Sequence, residues 1–220
     1  MLIAEEFLLI STKPNGKLVS SAGVDIGVAG AFLSELAQRD RVGVGADGTL
    51  EIVDSSSVDD PLLDPALRAF AAEAGRKVNV VLPIVGKDLL ETTYARLQEE
   101  GLVAREEHRT MGVFRTTSWP PSSQEQDRCL DQLAKVLSGE RATDPRTGTL
   151  IALLQACGIT AQTVGQASSL SDREITARAK EVLVGDWASA AVKDAIAHAE
   201  GVIIATLVAA GVFSGGSLSS

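Results

Sequence analysis

Apolar residues recur at helical spacing along most of the chain, and the runs are punctuated by helix start and stop signals. Leu90, Tyr94 and Leu97 predict a helix over residues 87–98 that ends at Gly101. Further helices are predicted from capping residues that precede apolar runs. These signals are Asp25, Asp60-Pro61, Asp64-Pro65, Ser122 with Glu125, and Ser171 with Glu174. The pattern predicts a mainly helical protein.

Two segments alternate instead of following the helical period. Residues 41–53 contain Val42 and Val44, then a turn at 46–48, then Leu50 and Ile52, which predicts a short hairpin. Residues 102–117 predict a second hairpin, with its tip near Thr110. The fold class is therefore mainly α with one or two short β-hairpins, one of them protruding.

Composition supports closely packed helices. The chain has 220 residues, of which 45% are hydrophobic and only 4% aromatic, so its core must be built from Ala, Val, Leu and Ile. We expect one domain over residues 1–213 and a flexible Gly/Ser tail over 214–220. The apolar segment 201–213 is shorter than the roughly 20 residues of a membrane span, so it predicts a buried terminal helix.

Charge and cysteine content exclude some functions. A net charge of -9 argues against broad nucleic-acid binding and weakens attraction to anionic lipid. Cys129 and Cys157 do not make a disulfide framework, which favours a reduced, cytoplasmic setting. The early glutamates of the chain and its missing basic region do not fit a secretory signal.

Some residues resemble motifs of catalysis or cofactor binding by their spacing or type, but the residues around them do not fit those motifs. Residues 43–48 match a dinucleotide fingerprint by spacing, but a returning strand follows where a helix is needed, so they predict a hairpin turn. Asp59, Asp60 and Asp64 are better explained as helix caps than as cation ligands. His108 and His198 lack metal-ligand spacing. We therefore expect no cofactor, no metal site and no enzymatic activity.

The predicted helix 87–98 followed by the hairpin has the shape of a winged-helix end, which raises the alternative of a nucleic-acid binder. Arg105, Arg109 and Arg115 are basic residues of the wing. The helix and the two residues that follow it together carry more acidic than basic residues. Its charged residues are Lys87, Arg96, Asp88 and Glu91, with Glu99 and Glu100 beyond it. That balance repels DNA, so no nucleic-acid partner is expected.

The tip of the second hairpin carries apolar residues, which usually dock against another subunit or lipid. We predict an interaction surface of Met111, Val113, Phe114 and Arg115, with homo-oligomerisation through residues 102–117 as one use of it. Trp119 is either an anchor for a partner or part of a buried corner.

Several segments, taken in order, carry a family resemblance. They are Ala4-Glu-Glu-Phe-Leu-Leu-Ile10, Gly30-Ala-Phe-Leu-Ser-Glu-Leu-Ala37 with Arg39-Asp-Arg-Val42, Pro61-Leu-Leu-Asp-Pro-Ala-Leu67, Leu97-Gln-Glu-Glu-Gly-Leu-Val103, Trp119-Pro120, and Asp144-Pro-Arg146 before Leu150-Ile-Ala-Leu-Leu154. Their order and spacing resemble the Golgi phosphoprotein 3-like family over nearly the whole chain. The arginine-favouring, Ala-, Val- and Gly-rich composition is typical of a bacterial relative.

The resemblance implies a helical domain whose hairpin takes part in self-association or membrane contact. It also implies the activity of eukaryotic members, which bind phosphatidylinositol 4-phosphate as peripheral membrane proteins and hold client glycosyltransferases as adaptors. Their phosphate ligands are one tryptophan and three arginines, which align here with Ser20, Ala29, Lys87 and Leu90. Only Lys87 keeps a positive charge, and lysine lacks the bidentate fork of arginine.

Three readings follow for the function. The first is a non-enzymatic cytoplasmic module that meets an anionic membrane surface or a protein client, using the hairpin and the face near Lys17 and Lys87. It would be peripheral on the inner face of a membrane. The second is a small-molecule enzyme or sensor with a pocket between the glycine-rich helix and the final helix. The third is a structural oligomer without a ligand.

Overall fold

The first helix of the chain lies at the centre of the fold. The structure is a computed structural model, and it describes residues 1–20, 23–110 and 114–184. Helix α1, Ile3–Ile10, has all eight of its residues buried. A helix on the surface of a protein keeps one polar, accessible face. Helix α1 has no exposed face, so it is a core element.

Seven further helices surround α1 in the described part of the chain. They are α2 (Val24–Ala37), α3 (Leu63–Ala72), α4 (Val78–Glu99), α5 (Ser123–Leu137), α6 (Pro145–Ala156), α7 (Thr160–Val164) and α8 (Asp172–Val184). A 3-10 turn, Gly165–Ala167, follows α7. Helix α1 contacts α2, α4, α5 and α6. The prediction of a mainly helical fold is confirmed.

Both predicted hairpins are present. Strands β1 (Val42–Val44) and β2 (Leu50–Ile52) pair antiparallel, with Val42 opposite Ile52. Strands β3 (Glu106–Thr110) and β4 (Phe114–Ser118) also pair antiparallel, with Glu106 opposite Ser118. Gly48 in the first turn has φ of 80°, a conformation that glycine adopts without strain. The glycine-rich motif at 43–48 is therefore a hairpin turn, as its context predicted.

Two of the five predicted helix start signals make the expected side-chain hydrogen bonds. Asp60 caps the turn that leads into α3, since its Oδ1 accepts hydrogen bonds at 2.9 Å from the backbone N–H groups of Leu62 and Leu63. Ser171 and Glu174 form the predicted capping box, in which Glu174 Oε2 accepts from the Ser171 N–H at 2.8 Å.

Three other capping predictions are wrong. Helix α2 begins after Gly23, so Asp25 lies inside its first turn. Asp64 accepts from the backbone N–H of Val58 at 2.8 Å and does not cap a helix. Ser122 precedes α5 without a side-chain capping bond, and the Glu125 carboxylate that would complete the capping box pairs with Arg128 instead.

Helix α4 begins nine residues earlier than predicted, at Val78 instead of residue 87. The reason is Pro83, which lies inside α4 although proline usually ends a helix. The predicted end of this helix is confirmed. Helix α4 ends at Glu99, and Gly101 just beyond it has φ of 70°, which is typical of a residue that terminates a helix.

Close backbone approach fixes α2 against its neighbours. A Cβ at Gly27 would lie 2.6 Å from Phe7 Cζ and 2.9 Å from Cys157 Sγ, so α1 and α6 meet α2 where it has no side chain. A Cβ at Gly86 would lie 2.7 Å from the carbonyl oxygen of Asp25, which brings α4 onto the first turn of α2. These glycines let α1, α4 and α6 pack against α2 at short distance.

Buried carboxylates join the helices around α1. Glu35 Oε2 accepts a hydrogen bond from the Ile3 N–H at 2.8 Å. Glu6 Oε2 lies 2.6 Å from an Nη of Arg146, which joins α1 to α6. Burial raises the pKa of Glu5, although the backbone N–H of Leu2 donates to that carboxylate and opposes the shift. Pairing is what allows such charges inside a core.

The predicted final helix 201–213, His198 and the tail 214–220 lie outside the described residues. Within the described part, no single helix is both long and apolar enough to cross a membrane. Residues Pro145–Ala156 and Thr160–Ala167 meet that test only as a pair, which is bent by 119°.

Candidate functional site

The five residues predicted to hold an anion do not share one environment. Lys17 and Lys87 are exposed, and Ser20 and Leu90 are half-buried. Ala29 is fully buried in the core, so its position offers no side chain to a surface ligand. Leu90 packs partly against the hydrophobic core. Lys87 alone combines charge and accessibility at a position aligned with the family's phosphate ligands.

The turn of α4 around Lys87 carries apolar residues that sequence reasoning missed. Val80 is 41% exposed and Ile84 is 46% exposed, and Pro83 is exposed between them. Positions 80, 83, 84 and 87 fall on one side of a helix with 3.6 residues per turn. We call Val80, Pro83, Ile84 and Lys87 the α4 face. It was missed because the helix was predicted to begin only at residue 87.

The β3–β4 hairpin is fixed at its base. The Trp119 ring stacks on Tyr94, with centroids 4.9 Å apart and planes inclined by 7°. The Trp119 backbone N–H donates to the Gly16 carbonyl at 2.9 Å, and the guanidinium of Arg105 lies 5.8 Å from the Trp119 ring. Trp119 therefore forms the corner that was one of its two predicted roles.

The interaction residues predicted at the hairpin tip are only partly described. Met111 and Val113 lie outside the described residues. Phe114 opposes Thr110 and Arg115 opposes Arg109 in the strand register. Along the hairpin, His108 is exposed and its Nε2 lies 2.8 Å from Ser118 Oγ. The interaction surface stays a prediction.

Residues 12–19 form a tight loop, which we call the 12–19 loop. Thr12 bridges to Leu18 across it, and Gly16 at its tip has φ of 74°. Thr12 Oγ1 donates to the Leu8 carbonyl at 2.7 Å and accepts from the Tyr94 hydroxyl at 2.9 Å. Burial raises the pKa of Tyr94 to about 12, so this hydroxyl keeps its proton. The loop is thus held rigidly against α1 and α4.

A groove of about 870 Å³ opens between the 12–19 loop, α5 and α7. We call it the α5–α7 groove. Its apolar lining includes Ile10, Val19 and Leu130, and its polar lining includes Gln126 and Thr163. Gln126 Nε2 donates to the carbonyl oxygens of Leu9 at 2.8 Å and Thr12 at 2.5 Å. Its lining includes no residue of α2, one of the two helices of the predicted pocket, and the other helix lies outside the described residues. No sequence motif indicated this groove.

Nucleophilic and metal chemistry find little support among residues 1–20, 23–110 and 114–184. Cys129 and Cys157 are buried and unpaired with each other. Burial raises the pKa of Cys129 to about 12 and also raises the pKa of Cys157, so both are protonated thiols at neutral pH. No group of three His, Cys, Asp or Glu side chains in these residues is arranged to hold a metal.

The described residues form a helical scaffold with an exposed apolar helix face, a protruding hairpin and a concave groove. Surfaces of these kinds are typical of proteins that bind other molecules. The chain belongs to the Golgi phosphoprotein 3 (GPP34) family, whose model matches residues 3–199. Among curated proteins, none matches the chain. Membership confirms the resemblance seen in the sequence and suggests a non-enzymatic, adaptor-type module.

Proposed function

We propose that the protein is a non-enzymatic cytoplasmic binding module that docks on the inner surface of a membrane through the α4 face. The observation that carries this proposal is the exposure of Val80 and Ile84 one helical turn apart, on the side that bears Lys87. Single exposed apolar residues are common on soluble proteins, but neighbouring ones beside a cation are typical of contact with lipid or protein.

Apolar contact contributes more to this docking than charge does. Lys87 has no ion pair among the described residues, whereas Lys77 nearby binds Asp47 Oδ2 at 2.7 Å. Glu91 lies one turn beyond Lys87 on the same side and is exposed, and the net charge is -9. We therefore expect only weak dependence on salt and on anionic lipid.

Selective phosphoinositide recognition is not part of the proposal. The family's arginine positions align here with Ala29, Lys87 and Leu90, of which the first is inside the core and the last is half-buried. A single lysine is a point charge without bidentate geometry. Vesicles with phosphatidylinositol 4-phosphate are expected to bind no better than other anionic vesicles of equal charge.

The β3–β4 hairpin is proposed as a second contact, for self-association or a protein client. Its strands pair only with each other in the described part of the chain, and its exposed residues are polar at positions 106–108, 116 and 117. Strand edges of this kind can pair with another chain. A Val113→Asp, Phe114→Asp double variant separates the tip from the α4 face.

Vesicle co-sedimentation tests the α4 face directly. Val80→Asp and Ile84→Asp are each expected to weaken binding about tenfold, because an apolar side chain that entered the interface becomes charged. Val53→Asp is the matched control, since Val53 is 62% exposed but lies after β2. Neutral, anionic and phosphoinositide vesicles are compared for each protein.

The outcomes separate the alternatives. Loss of binding in both α4 variants but not in Val53→Asp supports docking through the α4 face. Loss only in the hairpin double variant moves the membrane contact to the hairpin. Wild-type protein that sediments with none of the vesicles would refute membrane docking and leave a protein client as the partner.

A further inference from the structure

The α5–α7 groove has the size of a small-molecule site. Ligand pockets typically enclose about 300–1,000 Å³, and this groove measures about 870 Å³. It lies between the 12–19 loop on one side and α5 and α7 on the other, so its walls come from separate, well-packed elements. Rigid walls of this kind hold polar groups at fixed positions.

Thr163 in α7 leaves one polar group of the groove wall unsatisfied. It is only 4% exposed and lines the groove, yet its Oγ1 has no hydrogen-bond partner among the described residues. Buried hydroxyl groups almost always have a partner, and a binding role is one explanation for an exception. Thr160, three residues earlier, shows the usual state, since its Oγ1 donates to Gln155 Oε1 at 3.1 Å.

Gln126 supplies an oriented acceptor in the same groove. Both of its hydrogen bonds are made by Nε2, to the carbonyl oxygens of Leu9 and Thr12. The amide is therefore fixed with Nε2 toward α1 and the 12–19 loop, and Oε1 is left to accept from elsewhere. A ligand N–H group matches this oxygen.

Two opposite charges complete the lining. Lys13 and Asp127 both line the groove, and neither has an ion pair among the described residues. Asp131 in the same groove is different, because Lys135 binds its Oδ2 at 2.7 Å. One cation and one anion thus remain for a ligand that carries both charges.

We propose that the α5–α7 groove binds a small zwitterion, an aliphatic α-amino acid or dipeptide. Its ammonium group is bound by Asp127, with Gln126 Oε1 as a further acceptor, and its carboxylate is bound by Lys13. The aliphatic side chain packs against Val19 and Leu130.

Four related probes test this assignment by NMR titration at millimolar concentration. L-leucine carries both charges, leucine amide only the ammonium, N-acetyl-leucine only the carboxylate, and N-acetyl-leucine amide neither. L-leucyl-L-alanine represents the dipeptides. We expect leucine or the dipeptide to bind best, the singly charged probes more weakly, and the uncharged probe weakest, with shifts in residues of the groove.

Charge-removing variants then identify the two ligand-binding ends. Lys13→Gln should weaken leucine and N-acetyl-leucine about tenfold or more but leave leucine amide unchanged, since a charge-assisted bond to the carboxylate is lost. Asp127→Asn should do the reverse. Arg68→Gln on α3 and Asp88→Asn on α4 remove one positive and one negative charge away from the groove and should leave the binding of every probe unchanged.

Thr163→Val removes the hydroxyl at nearly constant shape and should change the binding of the probes little, because its Oγ1 is buried beneath the groove wall. Circular dichroism confirms that each variant is folded. Absence of groove shifts with both leucine and the dipeptide would overturn the proposal. Equal binding of all four leucine probes would also overturn it, because the charges would then have no role.

Discussion

The α4 face and the α5–α7 groove differ in both polarity and shape. The α4 face is an exposed side of one helix, where Val80 and Ile84 are nearly half accessible. The groove is concave, and Thr163 in its wall is almost completely buried without a partner. Exposed apolar area favours binding to an extended partner such as a membrane or another protein. Buried polar groups favour binding of a small ligand with matching donors and acceptors.

The two surfaces belong to different elements but share one support. Helix α1 contacts α4, which carries the face, and α5, which carries one wall of the groove. A substitution within the α4 face or within the groove should affect that surface only, because the two have no residue in common. A substitution that loosens α1 should affect both.

Arg146→Met should cause the largest loss, because it leaves the Glu6 carboxylate buried without its cation. Arg146 donates to Glu6 Oε2 through Nε at 2.8 Å and to the Met1 carbonyl at 2.9 Å. Removal of one partner from such a pair should lower the free energy of unfolding by about 2–3 kcal/mol. Urea unfolding measures this loss, and vesicle and leucine binding should weaken together near the unfolding midpoint.

Arg128→Met is the matched control for Arg146→Met. Arg128 pairs with Glu125 near the start of α5, but its side chain is 57% exposed. Exposed pairs contribute little, so its unfolding free energy should change far less than that of Arg146→Met. Equal losses in the two variants would show that burial of Glu6 has no special cost.

Thr163→Val should stabilise the ligand-free protein, because it removes a buried hydroxyl that has no partner. The expected gain is about 1 kcal/mol, or roughly 2–4 °C in Tm for a chain of this size. Thr160→Val should have the opposite sign, since it removes the hydrogen bond to Gln155. A loss of stability in Thr163→Val would mean that its hydroxyl already has a partner in solution.

Much of the fold was predictable because it follows local rules. Hydrophobic spacing identified α2, α3, α5 and α8, and alternation identified both hairpins. Caps were less predictable, because Glu125 has Arg128 as a competing partner within one turn. Helix α1 was missed, since a run of eight buried residues shows no polar face by which a helix is recognised.

The candidate sites were much less predictable than the fold. The α4 face was hidden by Pro83, which obscured where the helix starts. The groove joins the 12–19 loop to α5 and α7, which lie more than a hundred positions further along the chain. No local pattern marks such a juxtaposition. The family resemblance did identify Lys87, but not the burial of Ala29.

Glu5→Gln is expected to have the smallest effect. It tests whether the titration of a buried carboxylate in α1 influences binding in the groove. Burial raises the pKa of Glu5 above its unfolded value, so the folded protein loses stability as pH rises through that range. Glutamine cannot ionise but can still accept from the Leu2 N–H. The variant should gain less than about 1 kcal/mol at neutral pH and nothing near pH 3, below the unfolded value of about 4.3.

Urea unfolding at several pH values measures this difference between Glu5→Gln and wild type. Leucine binding should then follow pH in the same way in both proteins, because Glu5 lies in α1 and not among the residues of the groove. A pH profile of leucine binding that changes with Glu5→Gln would mean that the titration of α1 reaches the groove. In that case the α4 face, which also rests on α1, should show the same shift in vesicle binding.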